Sequence, residues 1–208
     1  MTRWARPVAA LTLASATYGF SIGVANSWVY GLRNLVKFPL LIVVTAATCA
    51  LCYHVASKFL GAPLTFLRVQ RVVLGVFLDI SVLLASLTPV VLFLAATMVD
   101  PVAGDLGGYP GFLRFNVVAI AATGCLSVVL RARRELPDTV VDGRRRALLL
   151  AAWMGASLLV GGQVCWYIRP FFGSTPGSWE KPWFAGATQD PRGAGSFYEA
   201  VYHLMGGR

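Results

Sequence analysis

The chain has 208 residues, of which 57% are hydrophobic and only 13% charged, a composition that excludes an ordinary soluble domain. Its net charge of +9 comes from 18 basic and 9 acidic residues. The basic residues gather at the ends of apolar runs and form no aromatic-interleaved patch, which points to anionic lipid head groups and away from nucleic acid.

The first apolar run covers 7–27 and follows Arg3, Trp4 and Arg6. It has the outline of a secretory signal peptide, with Gly23-Val24-Ala25 as a small-residue cleavage site. Its length of about 20 residues also suffices to cross a bilayer, and a retained span is the expectation. Ser15, Gly19 and Gly23 recur at every fourth position, a groove in which another helix backbone, of this chain or of a second protein, can approach closely. Residues 28–37, with Trp28, Tyr30, Arg33 and Lys37, read as an interfacial connection. The second span, 38–60, has Pro39 in its first turn and His54 about two turns from its far end.

Gly61 and Pro63 break the helix before the longest run, 72–98, whose one ionisable residue is Asp79. A charge inside a span is a functional-site hypothesis that needs a partner. Gly75, Asp79, Val82 and Ser86 share a helical face, which is expected to point into protein. His54 is the expected partner. If spans two and three are antiparallel neighbours, both groups lie about 10 Å inside the same membrane surface. Such a pair either shuttles protons or locks two helices together. Pro89 is expected to kink the run; a hairpin there would instead make six spans.

Residues 99–111, rich in Gly and Pro with no Lys or Arg, read as an exposed loop. The fourth span, 112–130, carries a mild polar stripe of Asn116, Thr123 and Ser127. Residues 131–146, RARRELPDTVVDGRRR, hold six arginines and read as a solvated loop. The fifth span, 147–168, has Ser157 and Gly161 four apart for close helix contact, with Gln163 as a buried amide or transport-site residue. The transmembrane domain is therefore 1–168. Residues 169–208 form an aromatic, extracytoplasmic tail whose last part, with Phe197, Tyr198, Val201, Tyr202 and Met205, suits a short helix lying at the interface or docking on a partner. His203 falls near the opposite surface from His54, so the two are not paired as haem ligands.

The fold expected is all-α: a polytopic transmembrane helical bundle of five spans with a short interfacial helix. With the N-terminus inside, inner segments carry Arg3, Arg6, Lys58, Arg68, Arg71 and the six loop arginines; outer segments carry Arg33, Lys37, Arg114, Arg169, Lys181, Arg192 and Arg208. The positive-inside rule then places the N-terminus in the cytoplasm and the C-terminus in the periplasm or exterior.

Trp166, Ile168, Arg169, Pro170, Phe171 and Gly173 form a W-x-[LI]-R-P-F-x-G segment ahead of an aromatic tail. In this the last quarter of the chain resembles the end of a group of bacterial multi-pass inner-membrane proteins. The resemblance implies a bacterial inner-membrane location and brings neither an activity nor site residues. Arg169 is left to pair with an outer acid such as Asp100 or Asp105, to meet phosphate, or to snorkel.

No H-E-x-x-H, G-x-S-x-G, P-loop or G-x-G-x-x-G occurs. Cys49, Cys52, Cys125 and Cys165 all lie in apolar runs and read as packing residues, the C-x-x-C of the first two included. The expectation is a non-enzymatic membrane subunit without cofactor or metal, packing against other membrane protein subunits. The alternative is a small transporter or proton-linked permease built on Asp79 and His54.

Overall fold

The structure, a computed structural model, describes residues 2–25, 27–98, 108–136, 143–171, 183–186 and 193–206. It is all-helical among these: α1 (Thr2–Val24), α2 (Trp28–Phe59), α3 (Phe66–Ser86), α4 (Thr88–Met98), α5 (Tyr109–Glu135), α6 (Gly143–Ile168) and α7 (Phe197–Leu204). Five of them, α1, α2, α3, α5 and α6, are long and apolar enough to cross a membrane.

Helix ends follow local chemistry. Ser27 and Thr65 cap α2 and α3, their hydroxyls accepting from the backbone N–H of Tyr30 and Arg68. At the end of α2, Gly61 takes φ +69°, which L side chains rarely adopt; its N–H donates to Lys58 O and that of Ala62 to Ser57 O, closing the helix in a Schellman arrangement. Pro63 then prevents any continuation.

Two expected boundaries are corrected, and the longest run is divided. Residues 28–37 are not a connection: they are the first turns of α2, so Pro39 lies inside the helix. Residues 131–135 are not loop: they complete α5, and α6 begins at Gly143. The run 72–98 divides at Leu87, with Pro89 in the first turn of α4, where its missing N–H is tolerated. Leu87 keeps right-handed helical backbone, φ −82° and ψ −6°, and Val91 N–H still bonds to its carbonyl. The result is a kink rather than a hairpin; α4, with 11 residues, is too short to cross alone.

At the centre of the bundle, α2 packs on α1, α3 and α6, while α5 packs mainly on α3. In lipid, close contact and interhelical hydrogen bonds replace the hydrophobic effect as the force between spans. Both are present. A Cβ on Gly19 would stand 2.5 Å from Phe38 Cβ, and one on Gly23 would stand 2.6 Å from the Tyr30 carbonyl, so the expected groove is occupied by α2 of this same chain. Tyr18 donates to Asn116 Oδ1 at 2.7 Å, joining α1 to α5. The Tyr53 and Ser157 hydroxyls bond across α2 and α6, and the Trp153 ring stacks on Tyr53 at 4.6 Å.

Candidate functional site

Asp79 does not meet His54. Its carboxylate is gripped by Arg131 of α5: Nη2 lies 2.7 Å from Oδ1 and 2.8 Å from Oδ2, and Nε lies 3.0 Å from Oδ2. A fork of this kind fixes orientation as well as charge. Arg131 Nη2 also reaches Gly75 O at 3.3 Å, and a Cβ at Gly75 would fall 2.8 Å from the guanidinium carbon. Glycine at 75 therefore leaves the guanidinium the room to lie along α3. Glu135 Oε1 stands 4.0 Å from Arg131 Nη1, and Arg68 Nη2 donates to Glu135 O at 2.8 Å. Asp79 and Arg131 are both half-buried.

The face expected to hold Asp79 is also revised. The buried face of α3 is Val69, Val72, Val73, Val76, Phe77, Ile80, Ser81 and Leu84. Asp79 sits at its edge, and Val82 and Ser86 are exposed. His54 is half-buried, edge-on to the Phe66 ring at 5.3 Å, and its Nδ1 is buried with no hydrogen-bond partner among the described residues. Gln163 is exposed, not a buried amide. Ser157 bonds Tyr53, while Gly161 faces Thr45, whose methyl would lie 3.6 Å from an added Cβ.

A second polar cluster lies at the other end of the bundle, where the chain leaves α6. Lys37, expected at the interface, is only 1% exposed. Its ammonium donates to Pro170 O at 2.7 Å and lies over the Phe171 ring at 5.2 Å and the Phe184 ring at 5.5 Å. One turn earlier on α2, Asn34 Nδ2 donates to Phe171 O at 2.8 Å. Two side chains of α2 thus hold two successive carbonyls of the tail. Ala185 N–H bonds to Arg169 O and Gly186 N–H to Tyr167 O, which folds the tail back on itself. The Arg169 guanidinium lies over the Trp166 ring at 3.3 Å, and that of Arg33 over Trp183 at 5.6 Å. Asp100 and Asp105, considered as acids for Arg169, lie outside the described residues.

Chemically, the first cluster joins α3 to α5 by an ion pair, and the second fastens the tail to α2 by charge-assisted and cation–π contacts. The sequence does not single out Arg131, which reads as loop, nor Lys37 and Asn34, which read as part of a connection. No family model matches the chain, and no curated protein or solved structure matches it. The resemblance of its last quarter to a bacterial membrane group has no matching family behind it.

Proposed function

We propose that this chain is a non-enzymatic integral membrane subunit that packs against, or scaffolds, a larger membrane protein complex in a bacterial inner membrane. The carrying observation is the uneven cover of its spans. Of the apolar stretches of α5 and α6, 22% and 17% are buried, against 39% to 44% for the other three spans. Gly155 lies on the opposite side of α6 from Trp153 and Ser157, and a Cβ there, or at Gly124 of α5, would meet nothing within 4 Å. Lipid needs no small residues to pack against a helix, whereas a second protein backbone does. The permease alternative has less support: Asp79 and His54 do not pair, and the carboxylate is held by Arg131. The arginine distribution favours a cytoplasmic N-terminus and a periplasmic C-terminus.

The test is purification in a mild detergent, with mass spectrometry of what travels with the chain. Other membrane subunits are expected in the wild-type sample and are expected to be lost from Gly155→Leu, which has open space on its own chain. A wild-type chain that runs alone as a monomer overturns the proposal.

A further inference from the structure

Helix α7 is eight residues long and none of its residues is buried, yet it is fastened to two spans. Tyr198 Oη lies 2.6 Å from Leu159 O and 3.1 Å from Leu158 O of α6. An added Cβ on Gly162 would stand 2.6 Å from Phe197 Cδ1, so the Phe197 ring lies directly on the α6 backbone. At its other end, Leu204 O accepts from Arg114 Nε of α5 at 2.8 Å.

Depth along α6 gives these contacts their meaning. Trp166, Tyr167 and Arg169 stand at the end of α6, the pattern of an interfacial belt. At 1.5 Å per residue, Gly162 lies about 9 Å, and Leu158 about 15 Å, along the axis before Ile168. Half of a hydrocarbon core is about 15 Å. The first turn of α7 is therefore seated beside the part of α6 that crosses lipid, below the belt and not on top of it.

Backbone chemistry fits that depth, since polar groups in hydrocarbon must be satisfied internally. Ser196 caps the helix, its Oγ accepting from Glu199 N–H, and Glu199 Oε2 accepts from Gly195 N–H, just before the cap, at 2.8 Å. At the far end, Met205 N–H bonds to Val201 O and Gly206 N–H to His203 O, with Gly206 at φ +100°. Outward, Tyr202 of α7 and its C-cap Met205 are exposed, as are Tyr198 and Glu199 in the first turn, where the Glu199 carboxylate is engaged by Gly195 N–H.

We infer that α7 is a re-entrant helix whose outward face, Tyr202 and Met205, contacts lipid acyl chains in the leaflet into which α6 emerges. The test uses the full chain in phosphatidylcholine vesicles doped with either of two photoreactive phosphatidylcholines, one with its diazirine at mid-acyl chain and one with it beside the head group. After illumination and digestion, the peptide carrying residues 197–206 is expected to bear mid-chain adducts at a yield comparable with peptides of α6. Gly162→Val, which displaces Phe197 from its seat, is expected to abolish mid-chain labelling of that peptide while labelling of the spans persists. Head-group labelling alone would make α7 a surface helix and overturn the inference. So would an unlabelled peptide, or mid-chain labelling unchanged in Gly162→Val.

Discussion

Asp79 and Arg131 lean toward each other because α3 and α5 run in opposite directions. Every Cα–Cβ bond tilts toward the N-terminus of its helix. The start of α3 and the end of α5 lie together, as the bond from Arg68 to Glu135 O shows. Asp79 therefore leans toward the Arg68 end and Arg131 leans away from it, deeper into the bundle. Arg131 is not snorkelling to the nearer surface; Gly75 leaves space for it to reach inward to the carboxylate.

Removing one member of this pair leaves the other charge half-buried and unmatched. Asp79→Asn and Arg131→Gln are each expected to destabilise the chain by about 2 kcal/mol. The double variant is expected to lose less than the two together, because no unmatched charge remains. Thermal unfolding in detergent measures all three. Additive losses would mean that the two side chains do not interact in the membrane. The same Asp79→Asn protein, reconstituted, separates the functional readings: loss of a proton flux with assembly intact would favour the permease.

The close approach of α1 and α2 makes a contrasting pair of substitutions. Gly23→Ala places a methyl 2.6 Å from Tyr30 backbone atoms, which a side-chain rotation cannot relieve. It is expected to cost about 1–3 kcal/mol, as overpacking does. Gly155→Ala meets open space and removes a flexible helical glycine; it is expected to be neutral or to stabilise by up to about 1 kcal/mol. Equal effects at the two sites, measured by thermal unfolding, would contradict the packing described.

The five spans were legible because about 20 consecutive apolar residues have few other uses. What escaped was the place of individual charges. Arg131 opens a dense basic run and so reads as one of the solvated arginines, although it follows the fourth apolar run without a break and α5 simply continues through it. Lys37 reads as part of an interfacial belt because two aromatic residues and an arginine precede it. Its burial depends on the tail, more than a hundred residues away in sequence, and no local pattern reports such a contact. Gly75, four residues before Asp79, was the available signal for a large partner lying along α3. The S-x-x-E spacing of Ser196 and Glu199, a helix-start signal, is readable in the sequence.

The tail clamp has its own test. Lys37→Met keeps an unbranched apolar stem but cannot donate to Pro170 O. Release of the tail is expected to speed amide exchange at Ala185 and Gly186, whose N–H groups bond to Arg169 O and Tyr167 O. Exchange in the middle of α2 is expected to stay unchanged. Protection at Ala185 and Gly186 equal to wild type would show that Lys37 does not hold the tail.

Orientation follows from which end of the bundle carries more Lys and Arg. Lys58, Arg68, Arg71, Arg131 and Arg133 lie at the end of the bundle where α5 finishes, together with the start of α6 and its Arg144, Arg145 and Arg146. Arg33, Lys37, Arg114 and Arg169 belong to the opposite end, where Lys37 and the tail meet. Because Lys and Arg resist translocation, the arginine-rich end is expected in the cytoplasm. Alkaline phosphatase fused after Arg208 is then expected to be active, and a green fluorescent protein at the same point dark. The reverse result would invert every side assignment, while leaving the Asp79–Arg131 pair and the tail clamp, which depend only on contacts within the bundle, unaltered.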